Sequence, residues 1–232
     1  MSITLCCPVL NVESDAIGTN HDNPSAIGAE GKCFAWDQRA HGYGRGEGVA
    51  VLVLQPLDSA LKAGNRVHAI IRETGLNQDG KTTTITSPSA DAQAKLIQEC
   101  YARAGYDIKD TGYVEAHMTG TAAGDPIEAE AIARTFGKSR EEHDPVIVGS
   151  VKTNVGHTEP VSGIAAIIKT TFALKNRMIP PNLNFETPNP EIDLQGWAPE
   201  GADGPNPMAQ GQVAASLDQQ LWVWRHQRPF DP

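Results

Sequence analysis

The chain has 232 residues, of which 40% are hydrophobic, and a formal net charge of -9. That length can bury a sizeable core, and the acidic balance without a basic block argues against nucleic acid or an anionic membrane as the main partner. The longest apolar stretch, from about Ile164 to Leu174, is interrupted by Lys169 and is too short to span a bilayer. With no apparent signal peptide and no metal or disulfide spacing among the four cysteines, we expect a cytoplasmic protein with reduced thiols.

The first third of the chain predicts an irregular start followed by short strands. Residues 1–31 are polar and aperiodic and are predicted to be irregular. The β-branched run Val49–Leu54 then predicts a strand, Asp58–Ala63 a short helix that ends at Gly64, and Val67–Ile71 a second strand.

Two longer helices follow in the middle of the chain. Ser87-Pro88 resembles an N-cap with proline at the first helical position, and apolar residues then recur at helical spacing up to a predicted stop at Gly105. Next come a predicted strand, Tyr113–Ala116, and a helix that opens with Asp125 as its cap and ends at Gly137.

The last part of the predicted domain repeats this order. A strand at 146–149 and a loop at 150–154 precede a helix from about Pro160 to Asn176, whose apolar residues on nearly every face predict burial between layers. Alternation of strand and helix predicts an α/β fold with a parallel-type sheet covered on both sides. The pattern then stops, and 195–232 is predicted to be loop material that suits neither helix nor sheet.

Two histidines and a lysine occupy equivalent places in this predicted fold. His117 stands where a strand ends and a Gly/Thr turn begins, and His157 follows the next strand and a loop that contains Lys152. An isolated histidine at a strand end is usually a polar surface residue. The repetition of the setting favours an active site.

Other groups are explained without chemistry. Glu115, Asp125 and Glu128 are interpreted as loop anchors and helix caps, and no carboxylate pair for acid/base work is evident. The glycine-rich run at 42–48 lacks the preceding strand and the closing lysine of a nucleotide-binding loop. We therefore expect neither a metal nor a bound cofactor.

Several segments together resemble the ketosynthase (β-ketoacyl synthase) domain of type I polyketide synthases, especially the fungal iterative kind. They occur in the order and with the spacing of that family, and they are Tyr43–Gly48, Asn77–Gly80, Glu115–Ala129, Gly149–Glu159 and Ile179–Pro190. The second histidine segment, for example, reads Gly156-His157-Thr158-Glu159. On this resemblance, 32–194 is a partial ketosynthase domain, 1–31 is unmatched, and the chain is a truncated fragment.

The resemblance implies a thiolase-like fold, of which this chain holds mainly the C-terminal half with the last hairpin of the N-terminal half. It implies an acyltransferase that performs a decarboxylating Claisen condensation between an acyl thioester and a malonyl thioester on acyl carrier protein. Both substrates are carried on phosphopantetheine, and the intact family forms homodimers. Carried over by motif, His117, His157 and Lys152 are the catalytic residues. Thr119 and Thr121 resemble threonines that hydrogen-bond the pantetheine arm.

The sequence departs from the family at its cysteines. The family nucleophile belongs to an elbow motif upstream of every matched segment, and neither Cys6-Cys7, which precedes Pro8, nor Cys33 stands at a strand-to-helix elbow. Cys100 falls on the apolar stripe of a helix and is interpreted as packing. We therefore expect no condensation by this chain alone.

Two further departures concern the site loop and the tail. Met118 replaces the glycine that usually follows the first histidine, which predicts backbone strain and bulk beside the substrate channel. From about Ser216 onward, a nucleotide sequence that could encode the tail also encodes the last hairpin of the family when it is read in another frame. We therefore hypothesise that the tail is an out-of-frame translation.

The alternative to an enzyme fragment is a non-catalytic product of a broken gene or gene model, or a half-domain that acts only as an interaction surface.

Overall fold

The computed structural model describes residues 3–6, 27–82, 87–137, 146–193, 206–207, 213–218 and 220–225, with side chains in 27–82, 87–137 and 146–193. The strands in these ranges are β1 (Ile3–Cys6), β2 (Val51–Leu54), β3 (Ile70–Gly75), β4 (Thr111–Glu115), β5 (Ile147–Gly149), β6 (Met178–Ile179), β7 (Asn206–Pro207), β8 (Val213–Asp218) and β9 (Gln220–Arg225). The α-helices are α1 (Leu57–Lys62), α2 (Ala90–Ala104), α3 (Gly124–Ile132), α4 (Lys152–Val155) and α5 (Ser162–Asn176).

The main sheet has five strands in the order β3-β9-β8-β4-β5. Strand β4 runs parallel to both β5 and β8, whereas β9 is antiparallel to β3 and to β8. The predicted parallel-type sheet is therefore mixed. In the β4–β5 pair, Glu115 lies opposite Gly149, so the loops after these two strands leave the same edge of the sheet.

Helices cover this sheet on both faces, as predicted. One buried cluster joins Ile97 and Tyr101 of α2 with Val114 of β4 and Ile132 of α3. A second cluster packs Tyr113 of β4 against α5 and β6. Tyr113 and Val114 are neighbours on β4 and point to opposite faces of the sheet, because side chains alternate along a strand. Helix α5 buries only part of its surface, since Phe172 is 55% exposed, so its predicted burial on nearly every face is wrong.

Local signals place helices α1 and α2 well, although the N-cap of α2 is shifted. Helix α2 ends at Gly105, whose φ of 70° allows the left-handed cap that glycine tolerates. Its N-cap is Ser89, whose side chain accepts a hydrogen bond from the Ala92 amide, and not Ser87 as predicted. Helix α1 matches the predicted Asp58–Ala63 within one residue.

The two ends of the chain hold strands where we predicted none. Residues 3–6 form β1, which pairs antiparallel with β2, so the irregular start is wrong there. Residues 213–218 and 220–225 form a hairpin inserted between β3 and β4, so the loop prediction for the tail is also wrong. Leu221–Trp224 is rich in β-branched and aromatic residues, which favour strands once partners are present. The out-of-frame origin of this tail stays a hypothesis.

Candidate active site

The two histidines of the sequence prediction lie side by side at the shared edge of β4 and β5. The centroids of the His117 and His157 rings are 5.2 Å apart, and the ring planes are inclined at 88°. Both side chains are half-buried. A pair of imidazoles at this distance can contact one small ligand from two directions.

Carboxylates of α3 hold the loop that carries His117. Glu128 accepts hydrogen bonds from the backbone amides of His117, at 2.7 Å, and Met118, at 2.8 Å. Asp125 accepts from the amides of Gly120 and Thr121, both at 3.1 Å through Oδ1. The predicted loop-anchoring role of these acids is confirmed, because both carboxylates bind amides of the preceding turn. Their predicted capping role is wrong, because the N-cap of α3 is Ala123 and it has no side-chain hydrogen bond.

These two carboxyl groups are also electrostatically linked. Burial, and secondly the charge of Glu128, raise the pKa of Asp125 to about 7. Burial likewise raises the pKa of Glu128, against the opposing effect of a positive charge on His117. The sequence reading missed this pair because the same spacing, an acid three residues before another, is typical of a helix cap.

The glycine-rich segment at 43–46 positions the backbone of His157. The His157 amide donates to the carbonyl of Gly44 at 2.7 Å, and the amide of Gly46 donates to the carbonyl of His157 at 3.0 Å. The ring of Tyr43 meets the His157 ring edge-on, with centroids 5.1 Å apart. A side chain at Gly46 would collide with the Val155 carbonyl, which a Cβ would meet at 2.2 Å. Glycine is therefore required for this close approach.

Glu159 fixes the hydrogen-bonding state of the His157 ring. Its backbone N–H donates to Nδ1 of His157 at 3.3 Å, an orientation that accompanies a φ of 48° at Glu159. Since Nδ1 accepts, a neutral ring carries its proton on Nε2. The Glu159 carboxylate is held in turn by the hydroxyl of Tyr43, at 3.0 Å, and the guanidinium of Arg45, at 3.3 Å.

Lys152 begins helix α4 and is 1% exposed. The loop predicted at 150–154 is thus a helical turn from Lys152 onward. The charge of Lys152 lowers the pKa of Glu128 and of Cys33, although burial raises both overall. A positive charge therefore lies close to the histidine loop.

Both cysteines whose side chains the structure describes are buried. Cys33 is 1% exposed, and its thiol accepts a hydrogen bond from the Gly44 amide at 3.3 Å. Cys100 is fully buried in the cluster beneath α2, as predicted. Burial raises the pKa of both thiols, which disfavours the thiolate. The side chains of Cys6 and Cys7 lie outside the described residues.

The remaining residues singled out from the sequence differ in accessibility. Thr119 is 4% exposed and its hydroxyl lies 3.4 Å from that of Thr121, which is half-buried. Met118 has a φ of 26°, which confirms the predicted backbone strain. Its side chain, however, is fully buried in the core cluster. The expectation that its bulk lies beside a substrate channel is therefore wrong.

Fold and site together define an α/β domain with a two-histidine, one-lysine centre at the edge of its sheet. The model of the beta-ketoacyl synthase C-terminal domain matches residues 68–186, and that of the N-terminal domain matches residues 10–60. The chain belongs to the beta-ketoacyl synthase family. The N-terminal match begins at residue 10, so the prediction that 1–31 is unmatched to the family is wrong for residues 10–31.

Relatives and solved structures agree with this assignment. The chain is 58% identical over 175 residues to the highly reducing polyketide synthase pks5 of Leptosphaeria maculans, covering 75% of this chain and 7% of that protein. It is 55% identical over 174 residues to the highly reducing polyketide synthase poxF of Penicillium oxalicum, again covering 75% and 7%. The ketosynthase from module 6 of the bacillaene synthase of Bacillus subtilis 168 superimposes with a TM-score of 0.86 at 30% identity, over 98% of this chain and 42% of that one.

The fold is accordingly thiolase-like, and the chain spans less than half of the solved ketosynthase and a small part of the curated synthases. Among the helices of the described residues, none is long and apolar enough to cross a membrane. Within the same residues, no group of three or more histidine, cysteine or acidic side chains could hold a metal ion.

Proposed function

We propose that this chain carries the decarboxylation half-site of a ketosynthase in a highly reducing polyketide synthase, with His117, His157 and Lys152 as its catalytic residues. The observation that carries the proposal is the histidine pair, whose rings lie 5.2 Å apart. The backbone donor to Nδ1 of His157 adds to it, because it places the proton of a neutral ring on Nε2, the atom from which the ring can donate to a ligand.

The chemistry suits neutral imidazoles. Loss of carbon dioxide from a malonyl thioester breaks the bond between the carboxylate carbon and the α-carbon, and its electron pair forms an enolate whose charge rests on the thioester oxygen. N–H donors aimed at that oxygen stabilise the charge as it develops. The positive charge of Lys152, which lies close to the histidine loop, favours the negative charge that develops on the enolate.

The substrate is a malonyl group on the phosphopantetheine of acyl carrier protein, and the domain itself needs no cofactor. Thr121 contacts the pantetheine arm, since it is the more accessible of the two candidate threonines, and Thr119 supports it through their hydroxyl contact. The intact domain works as a homodimer in the cytoplasm.

Condensation is a separate step, because it needs a thiolate to hold the growing acyl chain. Burial disfavours the thiolate at Cys33 and at Cys100, and neither is open to a bulky thioester. We therefore expect this chain to decarboxylate malonyl-carrier protein without extending an acyl group.

A second candidate function is an interaction-only half-domain. It is favoured by the apolar edge strand β2 and by Val49, two residues before it, because Val49 is 75% and Val53 is 78% exposed. An exposed apolar strand of this kind is suited to being covered by other protein. On this alternative the chain binds a complementary half and has no chemistry of its own.

Release of carbon dioxide from malonyl-carrier protein by the purified chain separates the two functions. The half-site predicts release that falls by roughly 10²–10³-fold in His157→Ala, the usual cost of losing one such donor. His68→Ala is the matched control, because His68 is an exposed histidine outside the site. No release by the wild-type chain would favour the interaction-only function.

A further inference from the structure

A buried ionic cluster lies directly beneath the histidine site, and the mechanism above makes no use of it. Glu115, the last residue of β4, is fully buried, and its Oε2 lies 2.8 Å from Nζ of Lys169 on α5. The hydroxyl of Tyr113 donates to the same oxygen, and Nζ of Lys169 lies 5.5 Å from the centre of the Tyr113 ring. The lysine side chain is only 10% exposed.

The other oxygen of Glu115 reaches a different element. Oε1 accepts the backbone N–H of Val151, the residue before Lys152. The adjacent Ser150 donates its hydroxyl to the carbonyl of His117 at 3.2 Å. One carboxylate thus joins the strand that ends two residues before His117 to the turn that presents Lys152.

The counter-ion of Glu115, Lys169, belongs to a third element, helix α5. Helix α5 follows His157 through the short 3₁₀ turn Glu159–Val161, and Lys169 lies on the face of α5 that meets the sheet. The pair Glu115–Lys169 therefore crosses from the sheet to the helix downstream of the second histidine. Each of the three candidate catalytic residues is attached to one of the elements that this pair connects.

Stability alone accounts poorly for such a pair. Apolar side chains of the same volume often replace a buried ion pair at no loss of stability, because both charges must be removed from water. What apolar side chains lack is an acceptor for the Val151 amide, which would be left unpaired inside the protein.

We propose that Glu115 is a positioning residue of the histidine site, acting through the Val151 amide, and that Lys169 is its buried counter-ion. This inference rests on the proposed function for its catalytic meaning. The positions of His117 and Lys152 relative to each other are then set by one carboxylate oxygen.

The test compares two double variants of the full chain, both without the ion pair. Glu115→Gln with Lys169→Met keeps a side-chain oxygen for the Val151 amide, whereas Glu115→Ala with Lys169→Met removes it. Changing both partners avoids an uncompensated buried charge. Arg134→Met is the control, because Arg134 forms ion pairs with Asp91 and Glu130 at the surface.

Carbon dioxide release is measured below the unfolding transition of every variant, together with the NMR signals of the His117 ring and the Val151 amide. In the alanine variant we expect kcat to fall by roughly 10²-fold, the cost of about 1 Å of misplacement, with KM unchanged and the His117 signals shifted. In the glutamine variant and the Arg134 control we expect wild-type kcat and unshifted His117 signals.

Wild-type kcat and His117 signals in a folded alanine variant would overturn the proposal, leaving only a stability pair. If the alanine variant fails to fold, shifted His117 signals in the glutamine variant would overturn it. Hydrogen exchange of the wild-type Val151 amide at the rate of an exposed loop would do the same. Failure of the wild-type chain to release carbon dioxide refutes the proposed function instead, and the NMR and exchange results still decide the role of Glu115.

Discussion

Met118 allows the strain and the packing of the site loop to be measured separately. Its side chain is fully buried in the core cluster that includes Trp36 and Ala129, while its φ of 26° lies in the region that favours glycine. The perturbation is a pair of substitutions, Met118→Ala and Met118→Gly. Both remove the buried side chain, but only glycine also relieves the backbone.

The magnitudes follow from these two features. Loss of a buried methionine side chain lowers the free energy of unfolding by about 2–5 kcal/mol. A left-handed backbone costs an L-residue about 1–2 kcal/mol, and glycine gives back about 0.5–1 kcal/mol through the greater freedom of its unfolded chain. Met118→Gly should therefore be less stable than the wild-type chain but about 0.5–1 kcal/mol more stable than Met118→Ala.

Urea unfolding followed by far-ultraviolet circular dichroism measures both differences, provided that the m-values stay equal. Met178→Ala is the control, because Met178 is 46% exposed and its loss should change stability little. An alanine variant as stable as the wild-type chain would refute the packing. A glycine variant less stable than the alanine variant would refute the strain.

Three other features make measurable predictions. The pKa of Asp125 is raised from 3.8 to about 7, so the native state holds a proton that the unfolded chain has lost. The free energy of unfolding should fall as pH rises through that interval, and fall less in Asp125→Asn; equal pH slopes in urea titrations would contradict this. Tyr43→Phe removes the hydroxyl that donates to the Glu159 carboxylate. Nitrogen NMR should then show more of the His157 tautomer that carries its proton on Nδ1. Unchanged ring signals would show that Glu159 needs no support from Tyr43. Val53→Thr reduces an exposed apolar surface at nearly constant volume and should lower self-association in light scattering, which unaltered aggregation would contradict.

The parts of the fold that the sequence predicts are those with local signals. Helix α1 and the end of α2 at Gly105 follow from apolar spacing and from a glycine that can adopt positive φ. Strands β8 and β9 were missed because their stability depends on pairing with β3 and β4, which lie far away in the sequence.

The candidate site likewise contains residues that the sequence could predict and residues that it could not. His117 and His157 could be singled out because each follows a strand, and parallel strands β4 and β5 bring those ends together. The clamp formed by Asp125 and Glu128 could not be separated from a helix cap, since both arrangements use the same spacing. The sequence shows Lys169 only as an interruption of an apolar stretch. Its pairing with Glu115 is not predictable, because the two residues are distant in sequence.

The central claim is that two imidazoles act on one intermediate in a single pocket. The most direct test is the rate of carbon dioxide release from malonyl-carrier protein in His117→Ala, His157→Ala and the double variant. Residues that act as a unit give non-additive losses, so we expect the double variant to be only slightly slower than the slower single variant. Multiplying losses, or a wild-type rate in either single variant, would contradict the claim.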